Sequence, residues 1–527
     1  MPAARLTARA SRCLPAARLT AGGRRSLSAA LLAAGLLAAS LTAPAAQRAE
    51  AAAGCAKASA ADFDGDGRDD VVAGDPLADA GGVSGAGAVH ILPIGGGDGP
   101  GGGLVITAPV PHPGDAFGWT VRTTHYDGDR CLDVIVGAPY ADAGGAADAG
   151  AVYVIRGGAY DDRVPAGAIT EISAPEPERD AHFGWSLAAA RSAGRPAGVI
   201  AVGAPYENAD RTGDSGAVYL YCAKPEGGTE PAMRVTQQSE GIVGNSEEGD
   251  MYGWSLVFGR FGGRADSVDL VVGTPYENDD GAGKQVGDAG KADTGAVEII
   301  FDAAEAGKTY TSIKWSIPDS VRGVAEHAGD RYGYALAYAE SGGRPYLAAG
   351  APLADVGGVK DAGLVQVFGL GKDGKPAPAR TIRLGGEGLA DQPAKAGAAL
   401  GWSLAMVGSA TALRLAIGGP FDSAGAPQAG AIRQVPLSGG PAAGVLRGSP
   451  ERPYDHFGWS IAAFGAADSF GPGVGLLAGV PDRRDAPGGA VAVLRDGAAA
   501  RLLVPGRDGV PVVPGGGSAD FGAAVSG

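Results

Sequence analysis

The densest chemistry in the chain is the run Asp62-Phe63-Asp64-Gly65-Asp66-Gly67-Arg68-Asp69-Asp70. Its first, third, fifth and ninth positions are carboxylates: Asp62, Asp64, Asp66 and Asp70. They converge when such a loop curls, and Gly65 and Gly67 permit the curl. The backbone carbonyl of Arg68, at the seventh position, can add one more oxygen. Hard oxygen donors on a flexible loop suit Ca2+ better than zinc or copper. Converging carboxylates without a cation would repel one another. The loop is not an EF-hand, because its twelfth position is Ala73 and no bidentate Glu is available. The alternative is an Asp/Gly-rich turn that holds no metal.

A second copy starts at His125. Asp127, Asp129 and Asp133 keep the third, fifth and ninth positions, His125 replaces the first carboxylate, and Cys131 could offer only its carbonyl. Calcium and a metal-free turn both remain open there. Further copies have lost the pattern: residues 191–199 carry no carboxylate, and 261–269 keep only Asp269 in register. Any calcium is therefore expected to have a structural role in the first two units.

Other constellations carry less. Gly184-Trp185-Ser186-Leu187-Ala188 has the outline of a hydrolase nucleophile elbow, but Gly-Trp-Ser recurs at Gly253, Gly401 and Gly458. A nucleophile needs one site with a base and an oxyanion hole, so four copies indicate packing. The six histidines occupy unrelated loop positions, and no Cys/His spacing matches a zinc site. Paired acids at an axial mouth could support hydrolysis. No acid/base pair stands out from the repeats, so an extracellular hydrolase is the alternative, as is a purely structural surface protein.

These loops need a scaffold, and the scaffold is a repeat. Phe117-Gly118-Trp119 returns as Phe183-Gly184-Trp185, Tyr252-Gly253-Trp254, Tyr332-Gly333-Tyr334, Leu400-Gly401-Trp402, Phe457-Gly458-Trp459 and Phe521-Gly522-Ala523. The mean spacing is about 67 residues. A Gly-x-Pro marker starts at Gly74, Gly137, Gly203, Gly273, Gly350, Gly418 and Gly479. A Gly-apolar-apolar marker starts at Gly87, Gly150, Gly216, Gly295, Gly363, Gly430 and Gly489. Between them lie short apolar, β-branched runs such as Asp133–Val136, stopped by proline. Seven units of four short strands predict an all-β, seven-bladed β-propeller. The marker order is rotated, so the chain ends should meet in one blade and close the ring. Phe521–Gly527 is expected to supply that blade's first strand and Asp69–Ala73 its second, with residues 54–61 as the rival first strand. The Phe/Tyr-Gly-Trp tripeptides are expected to pack between neighbouring blades.

Composition agrees. Glycine and proline together make 128 of 527 residues, yet 45% of the chain is hydrophobic, so periodic turns explain them better than disorder. Residues 1–45 carry six arginines, no acid and an Ala/Leu-rich run ending near Ala43-Pro44-Ala45, the build of a secretory signal peptide. The domain reading is a signal peptide at 1–45, an N-terminal segment at 46–61 and the propeller at 62–527. Without the first 45 residues, 37 Lys and Arg face 58 Asp and Glu, a net charge of −21. Bulk charge then excludes nucleic acid and anionic lipid as partners. The expected chain is secreted, extracellular or cell-surface associated, monomeric, and free of a membrane span once the signal is removed. Cys55, Cys131 and Cys222 allow one disulfide and one leftover thiol, and Cys55 and Cys131 flank the two acidic loops.

The ordered markers resemble the FG-GAP repeats of the integrin α-subunit propeller, a pattern shared by bacterial exported proteins. The resemblance covers residues 62–527. It implies that the acidic loop lies between the first and second strands of a blade and carries calcium. It also implies a ligand face formed by the connections ahead of Phe-Gly and the loops after Gly-x-Pro. Asp115, Asp180, Asp250, Asp330, Asp455 and Asp520 precede Phe-Gly, and Glu207, Asp210, Asp214, Glu277, Asp279, Asp280, Asp288 and Asp293 follow Gly-x-Pro. The alternative is that each Asp ahead of Phe-Gly caps its own turn. Loop 276–294 is the longest of these and the favoured recognition element. The functional expectation is a non-catalytic binding or adhesion module, calcium-stabilised, for an extracellular protein or glycan.

Overall fold

Short apolar runs bounded by glycine and proline form strands throughout the computed structural model. It describes Cys55, residues 58–94 and residues 102–527, except 161, 192–197, 225–227, 263–266, 279–290, 306–308, 410, 424, 441, 467–469, 487, 496–499 and 508. The expected signal peptide lies outside the described residues, as do most of segment 46–61 and most of loop 276–294. Among the described residues the strands form seven antiparallel sheets arranged as a ring. Six sheets have four strands. The fifth has a further short strand, Gly388–Leu389, paired parallel to Pro376–Leu384.

Blade two shows the pattern. Thr120–Thr124 is innermost, followed outward by Asp133–Ala138, Ala151–Ile155 and Ile169–Ile172. Every residue of Asp133–Ala138 is buried, because its neighbours cover both faces of the sheet. This is why the second strands read as unbroken apolar runs rather than alternating ones. The innermost strand is only partly buried, since one side faces the axis.

The chain ends meet in blade one. Ala524–Ser526 is its first strand and pairs with Asp70–Asp75 through Gly74 with Ala524, Ala73 with Val525 and Val72 with Ser526. The C-terminal segment therefore closes the ring, as the rotated repeat predicts, and residues 58–61 do not take that place.

The core is seven wedges, one at each blade junction. The first residue of each Phe-Gly marker fills one: Phe117 between blades one and two, Phe183 between two and three, and Phe521 between seven and one. All three are fully buried. The third residue of the marker does not follow. Expected between blades with the rest, it turns onto the axis, because the intervening glycine adopts a left-handed φ, +101° at Gly118, and breaks the alternation of a strand.

The Gly-apolar-apolar glycine is where the next blade comes closest. A Cβ on Gly150 would lie 2.1 Å from the Phe183 carbonyl oxygen, and the residue sits at φ +87°. The Gly-Trp-Ser hydroxyls complete the junctions. Ser186 donates to the Gly253 carbonyl at 2.6 Å, Ser255 to Gly333 at 2.7 Å, Ser403 to Gly458 at 2.7 Å and Ser460 to Gly522 at 2.8 Å. Thr120 does the same to Gly184 at 3.1 Å. The repeated motif is thus a blade-to-blade hydrogen bond.

Candidate functional site

The first acidic loop leads from the N-terminal segment into the second strand of blade one. It occupies the place of a first-to-second-strand connection, although that blade's first strand comes from the chain's other end. Asp62 is buried and its two oxygens accept the Gly65 and Gly67 amides at 2.7 and 2.8 Å. Asp64 accepts from the Asp66 amide at 3.1 Å. Asp70 Oδ2 accepts from the Phe63 amide at 2.8 Å. These bonds curl the loop so that Asp62, Asp64 and Asp70 present oxygens all within 4.8 Å of one another. Asp66 stands apart, its carboxylate paired with the Arg68 guanidinium.

The chemistry of this cluster fits a hard cation. Asp70 Oδ1 is buried and has no hydrogen-bond partner among the described residues. Burial, reinforced by the charges of Asp64, Asp62 and Asp66, pushes the Asp70 carboxyl up to about 8. Asp64 shifts upward as well, first by burial and then by Asp66. Such carboxylates are stabilised by a bound cation or by taking up protons. Asp62, Asp64 and Asp70 would be the side-chain ligands of a calcium ion here.

The second loop is built differently. Asp133 is fully buried, and its oxygens accept the Tyr126, Asp127 and Gly157 amides at 2.6, 3.1 and 3.0 Å. Asp127 and Asp129 accept the amides two residues on, at 3.0 and 2.9 Å. His125 contacts the Cys131 carbonyl through Nδ1 at 2.9 Å and the Ala60 carbonyl through Nε2 at 3.0 Å. Asp127, Asp129 and Asp133 are not brought together as a ligand set among the described residues. The Cys131 sulfur is bonded to Cys55, with Cα atoms 5.1 Å apart. No described cysteine is free.

The opposite face carries the site that the sequence reading missed. Trp119, Trp185, Trp254, Tyr334, Trp402 and Trp459 form a collar around the axis. Successive ring centroids lie 4.8–5.7 Å apart. All six rings are half-buried. Blade one has Ala523 at this position, which breaks the collar. A second tier packs against it, Tyr140, Tyr206 and Phe421 edge-on and Tyr276 tilted, each directly after a Gly-x-Pro proline. Arg331 covers Tyr276 at 3.8 Å and pairs with Asp293 at 3.1 Å. The signal was available, since five of six tryptophans share one repeat position and aromatics follow four of the seven Gly-x-Pro markers.

The acids of this face divide in two. Asp115, Asp250 and Asp330 are buried and accept the His112, Glu247 and His327 amides at 2.9, 2.8 and 2.7 Å, so they cap their own turns. Asp455 is buried against Arg483. Glu207 is tied to Arg234 and Tyr219, and Glu277 to Lys314 at 2.5 Å. Asp180, Asp210, Asp214, Glu248 and Asp482 are exposed around the mouth. Asp279, Asp280 and Asp288 of the long loop lie outside the described residues.

The ring of blades and its repeated junction motif define a seven-bladed β-propeller. The family model for the FG-GAP repeat matches residues 56–92 and 117–155, the two units that carry the acidic loops. The chain is similar to human phosphatidylinositol-glycan-specific phospholipase D, 28% identical over 186 residues, 32% of this chain and 20% of that protein. Among solved structures, catalytically inactive virginiamycin B lyase from Staphylococcus aureus with quinupristin covers 73% of this chain and 84% of its own. Its TM-score is 0.37 at 9% identity, a likeness that carries no functional argument. Among the described residues no helix is long and apolar enough to cross a membrane.

Proposed function

We propose that the chain is an exported, calcium-stabilised and non-catalytic binding module. Its ligand, an extracellular protein or glycan, meets the axial mouth on the collar face. The observation that carries this reading is the collar itself: six half-buried aromatic rings held in register by the blades, bordered by exposed carboxylates. Aromatic rings with polar surroundings are the side chains most enriched where proteins meet ligands. The non-catalytic part rests on the repeated serines, whose hydroxyls are spent on junction carbonyls. The activity in the human relative's name belongs to a protein of which this chain spans a fifth, and it is not part of the proposal.

Two experiments test the reading. An array of glycans and extracellular matrix proteins is probed with the purified chain and with a Trp185→Ala, Trp402→Ala variant. Ligands retained by the chain and lost by the variant support the collar face, and equal retention refutes it. For calcium, the thermal midpoint is followed as CaCl2 is added. Wild-type stability should rise by about 3 kcal/mol at a hundredfold excess over Kd, read as a higher midpoint. Asp64→Ala and Asp70→Asn should remove that rise, and a wild type indifferent to calcium ends the claim.

A further inference from the structure

The second acidic loop repeats the first with softer donors. Its first position is His125 where the first loop has Asp62, and its seventh is Cys131 where the first has Arg68. Two of its carboxylates are engaged by the backbone: Asp133 by the Tyr126, Asp127 and Gly157 amides, and Asp127 by the Asp129 amide. Asp129 is placed differently. One of its oxygens and the sulfurs of Cys55 and Cys131 all lie within 4.8 Å of one another. Its Oδ1 also accepts the Cys131 amide at 2.9 Å, which holds the carboxylate beside the sulfurs. Cys55 comes from 76 residues away, so no local spacing announces the group.

In the oxidised chain the two sulfurs are bonded to each other. Every copy of the chain starts as the dithiol, because cysteines enter as thiols and a reducing compartment keeps them so. The fold then holds the two thiols side by side. Cys131 lies two residues ahead of strand Asp133–Ala138, and Cys55 packs on it together with Ala58. The Cα atoms of the pair are 5.1 Å apart. Both cysteines are buried and Asp129 is half-buried, so the group meets solvent at the carboxylate.

We propose that the reduced chain binds one zinc ion at Cys55, Cys131 and Asp129, so that metal and disulfide are alternative fastenings of the junction between blades one and two. Two thiolates and a carboxylate are donors that zinc takes, whereas calcium takes oxygen alone. His125 stands beside the set with its nitrogens against the Cys131 and Ala60 carbonyls, so three protein donors leave the fourth position to water. Binding releases the two thiol protons. Three anionic donors around a dication leave one negative charge. Arg130 reaches the carbonyl of Ala58, which packs on both cysteines, and supplies the compensating charge. The site shares no donor with the cluster of Asp62, Asp64 and Asp70, and it does not depend on the function proposed for the collar.

Cobalt(II) is the probe, added to the full chain reduced by a water-soluble phosphine, with excess calcium to fill the oxygen cluster. The phosphine takes the oxygen of one water to become its oxide, and that water's two protons go to the two sulfurs. One cobalt per chain should give sulfur-to-cobalt charge transfer and the strong visible bands of a tetrahedral site, and zinc should displace it. The oxidised chain should give neither signal. Cys55→Ser with Cys131→Ser should remove the charge transfer, and Cys222→Ser should leave it unchanged. Asp129→Asn, which can still accept the Cys131 amide, should weaken cobalt at least about tenfold, the loss expected when a metal site is deprived of a carboxylate. The proposal is overturned if the reduced chain shows no charge transfer, if the band persists without Cys55 and Cys131, or if Asp129→Asn binds as tightly as the wild type. It is overturned as well if reduction abolishes the native tryptophan emission and zinc does not restore it.

Discussion

Two glycines of one loop separate backbone conformation from blade packing. Gly145 and Gly150 lie between the second and third strands of blade two, at φ +84° and +87°. Alanine at either position bears the left-handed penalty of roughly 1–2 kcal/mol. Their surroundings differ. A Cβ on Gly145 meets nothing within 4 Å. A Cβ on Gly150 meets the Phe183 carbonyl oxygen at 2.1 Å, its amide nitrogen at 2.4 Å and its carbonyl carbon at 2.8 Å. All three are backbone atoms and cannot rotate away. The Phe183 segment would have to retreat by more than an ångström, which opens the wedge that Phe183 fills. Overpacking of a tight core costs about 1–3 kcal/mol. Gly150→Ala should therefore cost about 2–5 kcal/mol and Gly145→Ala about 1–2 kcal/mol. Equilibrium urea unfolding, followed by the fluorescence of the collar tryptophans, measures the difference. Equal losses in the two variants would refute the idea that blade approach selects glycine at this marker.

Three further outcomes follow from the same geometry. Ser186→Ala and Ser403→Ala each leave a junction carbonyl without its donor, and each should lower stability by about 1 kcal/mol in urea unfolding. Cys55→Ser with Cys131→Ser releases a loop closed across 76 residues and should lower stability by about 4 kcal/mol in urea unfolding. Burial, with the Asp355 charge behind it, raises the Asp330 carboxyl to about 6 against the opposing hydrogen bond from His327. Its folded pKa lies above the unfolded value, so its contribution is fully present below about pH 4 and is lost as pH rises through about 6. Asp330→Asn, which can still accept the His327 amide, should gain stability relative to wild type between those limits, and parallel urea curves across that range would contradict it.

The repeat made the ring legible from sequence because each marker has one mechanical duty at every junction. The buried Phe, the left-handed glycine and the proline stop are local constraints, and seven copies of them leave one closed architecture. The collar was not legible by the same logic. Strand alternation puts Trp119 on the opposite side from its true place, and the φ of Gly118 decides the matter. The acidic loop was legible as an oxygen cluster, yet Asp66 left it for Arg68, two residues on. His125 could be read only as a missing ligand, whereas it contacts the Cys131 carbonyl of its own loop and the Ala60 carbonyl of a segment remote in sequence.

The junction between blades one and two shows how the ring is held where the chain ends meet. Blade one has Ala524 at the repeated serine position, so the usual hydroxyl bond to blade two is missing there. Other bonds cross this junction. The Ser526 hydroxyl accepts from the Thr123 amide at 3.2 Å and lies 3.1 Å from the Thr123 hydroxyl. The Leu132 amide donates to the Asp62 carbonyl at 2.8 Å, and the Gly158 amide to the Phe63 carbonyl at 2.8 Å. The Cys55–Cys131 bond crosses the same boundary. The first acidic loop supplies two of these contacts from Asp62 and Phe63, so anything that orders the loop also tightens the junction. A cation on Asp62, Asp64 and Asp70 would then stabilise ring closure rather than one turn. Its removal should loosen the C-terminal strand Ala524–Ser526 first. Amide hydrogen exchange with and without calcium can see this: protection lost at 524–526 together with 62–70 supports the coupling, and loss confined to 62–70 contradicts it.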